Sequence, residues 1–98
     1  MNFKLHKSYR DVVSICDNDI IGKTFEEEKL FLDVKESFYK GEDLQEEDIR
    51  KRILFHTRED ATFNIVGKES IAIALDMEII SQEGIKTVQG IPFALVLM

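Results

Sequence analysis

The sequence contains one cysteine, one proline and no long apolar run. The single thiol of Cys16 cannot form an internal disulfide, which excludes the disulfide-rich class of small proteins and is typical of a reducing compartment. The longest uncharged apolar run, residues 90–98, is far too short to cross a bilayer, and the first residues lack the apolar segment of a secretory signal. These absences predict a cytoplasmic protein.

Groups for metal binding and catalysis are equally scarce. Besides Cys16, the chain offers only His6 and His56, with no short ligand spacing and no EF-hand loop. There is no nucleophile elbow around a serine, and the acids at 26–28 are consecutive, so their side chains diverge. We therefore expect no metal, no cofactor and no catalytic residue, and the sequence favours a protein that is not an enzyme.

Positive charge is in the minority, with 13 Lys and Arg against 19 Asp and Glu and a net charge of −6. This balance argues against nucleic-acid binding by bulk attraction. The charges are unevenly distributed, however, because residues 1–10 carry Lys4, Lys7 and Arg10 without any acid. These three residues are candidates for a local basic patch.

The tripeptide Gly22-Lys23-Thr24 has the residues that close a phosphate-binding P-loop. A P-loop also needs a glycine five positions earlier, and Asp17 stands there, where its carboxylate would repel phosphate. The sequence therefore argues against a true P-loop. Two interpretations stay open: a plain turn, in which Gly22 permits a positive φ, or a shallow anion site formed by Lys23, Thr24 and the local amides.

In the first part of the chain apolar and polar residues alternate, as they do in strands with one face exposed to water. Residues 3–10 and 12–16 predict a hairpin with one wet face, and residues 30–34 predict a third strand. Residues 37–41 close that strand. Their aromatic pair, Phe38 and Tyr39, is more typical of core packing than of a platform for stacking bases.

The middle of the chain has a helical pattern. A helix is predicted to start at Asp43 or Gln45, with acids in its first turn and Ile49 and Ile53 as its buried stripe. The basic run 50–52 follows acids four residues earlier, a spacing that favours ion pairs along the helix over an RNA-binding face. A second helix is predicted from residue 68 to about 78.

Residues 63–67 are interpreted as a bend before the second helix, with the Asn64 side chain satisfying backbone groups. Residues 85–89 and 93–97 predict two more strands. The prediction is a single α+β domain over residues 1–98, with about five mainly antiparallel, strongly curved strands in a sheet or partial barrel, and two helices.

Several blocks together resemble the archaeal family known as domain of unknown function 424. They are Cys16-Asp17, Ile-Ile-Gly-Lys-Thr-Phe at 20–25, Phe-Tyr-Lys-Gly at 38–41, Phe-Asn-Ile-Val-Gly-Lys at 63–68, and Ile91-Pro92. The resemblance implies a cytoplasmic archaeal protein of unestablished activity, associated with translation. Members commonly continue with His-Ala-Gln after the proline, whereas this chain has Phe93, Ala94 and Leu95.

Two functional hypotheses follow. The first is a non-enzymatic accessory of translation or ribosome assembly that binds RNA or a ribosomal protein through Lys4, Lys7, Arg10 and Lys23. The second is a small ligand- or phosphate-binding module, or an enzyme, with an anion site at Gly22-Lys23-Thr24; Asn64 is a further candidate binding residue. The apolar residues 93–98 either pair inside the sheet, as we expect, or offer an edge to another chain or a second copy.

Overall fold

The structure, a computed structural model, describes residues 1–97. These residues form eight strands and three helices, with short 3-10 turns at Asn18–Ile20 and Gln82–Gly84. The elements are β1 (Asn2–His6), β2 (Val12–Cys16), β3 (Thr24–Glu27), β4 (Leu30–Asp33), α1 (Glu36–Tyr39), β5 (Glu42–Asp43), α2 (Glu46–Arg58), β6 (Thr62–Val66), α3 (Lys68–Asp76), β7 (Lys86–Val88) and β8 (Ile91–Val96).

Six strands form one mixed sheet in the order β5-β1-β2-β6-β8-β7. The predicted hairpin of β1 and β2 is confirmed, with Phe3 opposite Ile15. Strand β6 lies parallel to β2, and β8 lies antiparallel to both β6 and β7. Strands β3 and β4 pair only with each other, as a separate two-stranded sheet.

The predicted architecture of about five mainly antiparallel strands with two helices was wrong, and so was the partial barrel, although α+β describes the chain overall. The main error lies at residues 63–67, which were interpreted as a bend. Residues Thr62–Val66 form β6, in the middle of the sheet, where Phe63, Ile65 and Val66 are buried. Residues 62–65 alternate between polar and apolar side chains, as a half-exposed strand does, but the asparagine and the following Gly67 are also typical of a bend, and that interpretation was chosen. Strand β3, strand β5 and the short helix α1 were also missed.

One face of the six-stranded sheet is covered by α2 and α3. Phe3, Val13, Ile15, Phe63 and Ile65 point to this side and form the main core with the helices. The predicted stripe of α2 is confirmed, because Ile49 and Ile53 are fully buried there. None of the helices in residues 1–97 is long and apolar enough to cross a membrane.

The opposite face is covered over only part of its area, by α1 and the β3–β4 hairpin. Cys16, Val66 and Val88 from the sheet pack there against Val34 and Tyr39, and all five are buried. The expectation that Tyr39 is a core residue is confirmed. The remainder of this face carries the candidate site.

The parallel strands β2 and β6 end side by side, at the start of α3. Asp17 follows β2, and its buried carboxylate accepts hydrogen bonds from the backbone N–H groups of Glu69 and Ser70 and from the Ser70 hydroxyl, at 3.0, 2.8 and 2.7 Å. Gly67 joins β6 to α3 with φ of 110°, a conformation that favours glycine. The first turn of α3 therefore already holds a carboxylate of this chain, and this helix N-terminus offers no room for a phosphate.

Candidate binding surface on the open sheet face

The part of the second sheet face that α1 and the hairpin leave uncovered is called here the open face, defined by Val12, Thr62, Asn64 and Leu95. Strand register places these side chains on one side, since Val12 pairs with Thr62 and Asn64 pairs with Leu95. The first three are half-buried, and Leu95 is 56% exposed. The open face is thus a shallow surface of mixed polarity.

No carboxylate projects to this side from β1, β2, β6, β7 or β8. Lys4 and Lys86 do project to this side, from strands near the two ends of the sheet, as does His6. The carboxylate of Asp43, from β5, lies at the far end of the sheet, where the N-terminal amine and the Asn18 side chain contact it at 3.3 and 3.0 Å. These five strands contain no acid at all, and the nearest carboxylates on the β7 side belong to the β3–β4 hairpin, where Glu27 accepts from Gln89 N–H at 2.8 Å.

An aromatic pair borders the open face on the β1 side. The rings of His6 and Phe38 stack with centroids 4.4 Å apart and planes inclined by 15°. The pair is held in place because His6 Nε2 and the hydroxyl of Ser14 both donate to the carbonyl oxygen of Phe38, at 2.9 and 2.7 Å. These contacts fix a flat ring surface beside Lys4, whose ammonium donates to the carbonyl of Ser37 at 2.6 Å.

The predicted basic patch is divided between two places. Lys4 lies on β1, on the same sheet side as Asn64. Lys7 and Arg10 lie in the turn after β1, where Lys7 is 3.4 Å from Asp11 and Arg10 lines a cleft with Tyr9, Asp11, Glu59 and Asp60. The turn therefore surrounds its two bases with carboxylates, and the four bases of the first hypothesis do not form one cluster.

Lys23 and Thr24 lie apart from the open face, at the start of the β3–β4 hairpin. The local amides are already used: Gly22 N–H donates to the carbonyl of Val34 at 2.7 Å and Lys23 N–H to that of Ile20 at 3.1 Å. Gly22 has φ of 85°, as a turn requires. An anion site here would depend on the Lys23 and Thr24 side chains without these amides, and it stays a prediction.

Asn64 lies in β6 between Ser14 of β2 and Leu95 of β8. Within residues 1–97 its side chain does not bond to backbone groups, in contrast to the interpretation drawn from the sequence. Its amide is instead presented at the open face. Phe93 and Leu95, where the family resemblance implies His and Gln, project to the same side of β8.

Sequence reasoning missed Lys86, His6 and Phe38 as parts of this surface. The alternation of residues 2–6 was a usable signal for His6, because it places His6 on the side of Lys4. Lys86 joins them only because β7 pairs with β8 and β8 pairs with β6, and no local pattern reveals the second pairing.

The thiol of Cys16 is poorly placed to act as a nucleophile. Cys16 is fully buried; burial, with the nearby charges of Asp17 and Asp19, raises the pKa of its thiol to about 12. Within residues 1–97 no three His, Cys, Asp or Glu side chains come together as a metal site would require. The arrangement is suited to binding by surface contact.

Comparison with known proteins agrees with this picture of the fold. A crystal structure of an uncharacterized conserved protein from Methanopyrus kandleri is similar, with a TM-score of 0.83 and 20% sequence identity over 98% of this chain and 90% of that one. No curated protein matches the sequence. The family described as "Protein of unknown function (DUF424)" matches residues 6–98, and the chain belongs to this family.

Proposed function

We propose that the protein is a non-enzymatic accessory of translation or ribosome assembly in the cytoplasm, and that it binds single-stranded RNA on the open face. The observation that carries the RNA assignment is the lack of any carboxylate on this side of β1, β2, β6, β7 and β8, in a chain of net charge −6. Phosphates approach a protein where acids do not repel them and lysines attract them.

The side chains of the open face suit an unpaired strand better than a duplex. Sequence-specific RNA recognition targets bases that are splayed out, because the deep groove of A-form RNA is closed to side chains. Asn64 and Thr62 offer hydrogen-bonding groups to base edges, and the stacked His6 and Phe38 offer a ring surface. Leu95 adds an apolar contact next to Asn64.

Two lysines near opposite ends of the sheet set the path of the RNA backbone. Lys4 on β1 and Lys86 on β7 flank the open face, so phosphates at both ends of a short bound segment have a cation nearby. Each contact to a phosphate adds about 0.7 to the slope of log affinity against log salt for single strands.

The test is fluorescence anisotropy of a labelled single-stranded RNA, measured as a salt series. Lys86→Glu is expected to weaken binding and to lower the salt slope by about 0.7 or more. Asn64→Ala is expected to weaken binding with the slope unchanged. Lys51→Glu is the matched control, because Lys51 is exposed on α2, on the other side of the sheet, and the charge change is the same.

The RNA proposal would be overturned if Lys51→Glu lost as much RNA affinity as Lys86→Glu. It would also be overturned if the wild-type protein did not bind RNA at low salt. The cellular setting has its own test, which is capture of the tagged protein from its native lysate with and without ribonuclease. Recovery of ribosomal or transfer RNA, with protein partners that ribonuclease removes, is the expected result. RNA unrelated to translation would contradict the setting and leave the surface assignment standing.

A further inference from the structure

Strand β8 is longer than the strand that covers its outer edge. On one side β8 pairs with β6 from Phe93 to Val96. On the other side β7 pairs with it only from Ile91 to Phe93. In residues 1–97 no strand lies against the outer edge of β8 from Ala94 onward, so this stretch, residues 94–97, is an open edge in an otherwise paired strand.

The backbone groups of Leu95 point out of this edge. Gly67 N–H donates to the carbonyl of Pro92 at 2.9 Å, so the Pro92 carbonyl faces β6. Backbone groups alternate in direction along an antiparallel strand, which turns the N–H and C=O of Leu95 away from β6. If β7 continued in the same register, Gly84 would lie opposite Leu95. Gly84 instead belongs to a 3-10 turn, and its N–H donates to the carbonyl of Ser81.

The edge also lacks the features that usually prevent strand addition. Proteins protect edges with charges, proline or very short strands. The other sheet edge, β5, has two residues and both are acids, Glu42 and Asp43. Residues 94–97 are Ala-Leu-Val-Leu, without charge or proline, and Leu95 and Leu97 are 56% and 73% exposed.

A cleft lies beside this edge. A cleft of about 250 Å³ runs along residues 94–97, with Ile79, Ile80, Ser81 and Gly84 as its other wall. A Cβ built on Gly84 would meet no atom within 4 Å, so this corner of the cleft is open.

We propose that a second copy of this chain covers the edge, by antiparallel pairing of β8 with β8 of the second copy. An uncharged apolar strand is complementary to itself, because no like charges meet when it pairs around a two-fold axis. An axis through Leu95 places the two Leu95 residues opposite each other and satisfies their N–H and C=O groups mutually. Because Lys86 already pairs with Phe93, this new ladder covers residues 94–96 of each copy. The axis stands normal to the sheet, so the open faces of both copies lie on the same side.

Sedimentation equilibrium without RNA tests the proposal, over concentrations from about 1 µM to about 500 µM, since association follows mass action. The wild-type protein is expected to be a dimer in the upper range. Leu95→Glu, which sets two carboxylates against each other, is expected to be a monomer throughout. Leu54→Glu is the matched control: Leu54 is 48% exposed on α2, on the helix-covered side of the sheet, and this variant is expected to dimerise as the wild type does.

Cross-linking provides a second measurement that tolerates a weakened fold. Residues opposite each other in a hydrogen-bonded antiparallel pair have Cα atoms about 5.5 Å apart, within the range that a disulfide spans. Leu95→Cys is therefore expected to give a covalent dimer on mild oxidation, whereas Leu54→Cys is not. Cys16 is buried and does not compete. A monomeric wild-type protein at the highest concentration, or equal cross-linking of both variants, would overturn the proposal.

Discussion

The carboxylate of Asp17 and the backbone of Ser70 are joined across the ends of β2 and α3, with an N–H···O distance of 2.8 Å. The same oxygen accepts from the Ser70 hydroxyl, and the other oxygen accepts from Glu69 N–H. Asp17 thus acts as the N-terminal cap of a helix that begins fifty residues later in the sequence.

Replacing Asp17 should destabilise the protein strongly. In Asp17→Ala three buried or partly buried donors lose their acceptor, and we expect the free energy of unfolding to fall by about 2–4 kcal/mol. Urea unfolding followed by circular dichroism measures this loss. Asp19→Ala is the control, because Asp19 is exposed in the neighbouring 3-10 turn, and a loss above about 0.5 kcal/mol there would contradict the capping role.

Gly67 should be far less replaceable than Gly90. Both have positive φ, 110° and 78°, so alanine is strained at either position. A Cβ at Gly67 would also lie 2.3 Å from Cγ of Asp17, whereas one at Gly90 would meet nothing within 4 Å. Gly90→Ala is expected to cost about 1 kcal/mol and Gly67→Ala several times more, as measured by thermal unfolding. Similar melting temperatures for the two variants would refute the tight contact with Asp17.

His56 should make the fold sensitive to mild acid. Burial lowers its pKa below the ordinary value, a shift that Asp11 and Glu59 oppose while Arg52 and Lys7 add to it. The unfolded chain binds a proton first, near pH 6.5, so the stabilising effect is complete above that pH and is lost as pH falls toward the folded-state pKa. We expect the free energy of unfolding to decline as the pH falls below about 6.5.

His56→Gln tests the origin of this decline, because it removes the titrating ring and keeps a polar side chain. The slope of unfolding free energy against pH should flatten below about pH 6.5 in this variant. Direct titration of the His56 ring by NMR should give a midpoint below about 6.5. A midpoint above that value would show that the charged ring is favoured in the fold.

Cys16 should resist thiol reagents until the protein unfolds. Its side chain is fully buried, and a pKa of about 12 leaves almost no thiolate at neutral pH. Labelling at pH 8 is expected to follow global unfolding, with a rate that rises steeply across the urea transition. Fast labelling of the native protein would contradict the packing of Cys16 beneath the β3–β4 hairpin.

The sequence predicted elements whose patterns are local. The helix α2 was recognised because the acids of its first turn and the spacing of Ile49 and Ile53 all lie within one segment. The hairpin of β1 and β2 was recognised because a short turn joins two alternating runs. Their positions could be predicted since the physical cause, one buried face per element, repeats within a few residues.

The pairing of distant segments could not be predicted in this way. The parallel partner of β2 is β6, and nothing near Val12 indicates a neighbour at Thr62. The open face depends on that pairing, because it brings Asn64 beside Ser14 and, through β8, beside Leu95. Lys4 was singled out from charge alone, whereas its relation to Lys86 required the complete strand order.

The central parallel ladder also determines how the molecule assembles. Strand β2 can pair with β6 only after residues 17–61 have been closed into a loop. Closing a long loop costs chain entropy before any contact is gained. We therefore expect the hairpin of β1 and β2 to form early and the joining of β6 to limit the refolding rate. A nascent chain that has emerged only as far as α2 has one side of β2 unpaired, and it depends on β6 to complete the sheet.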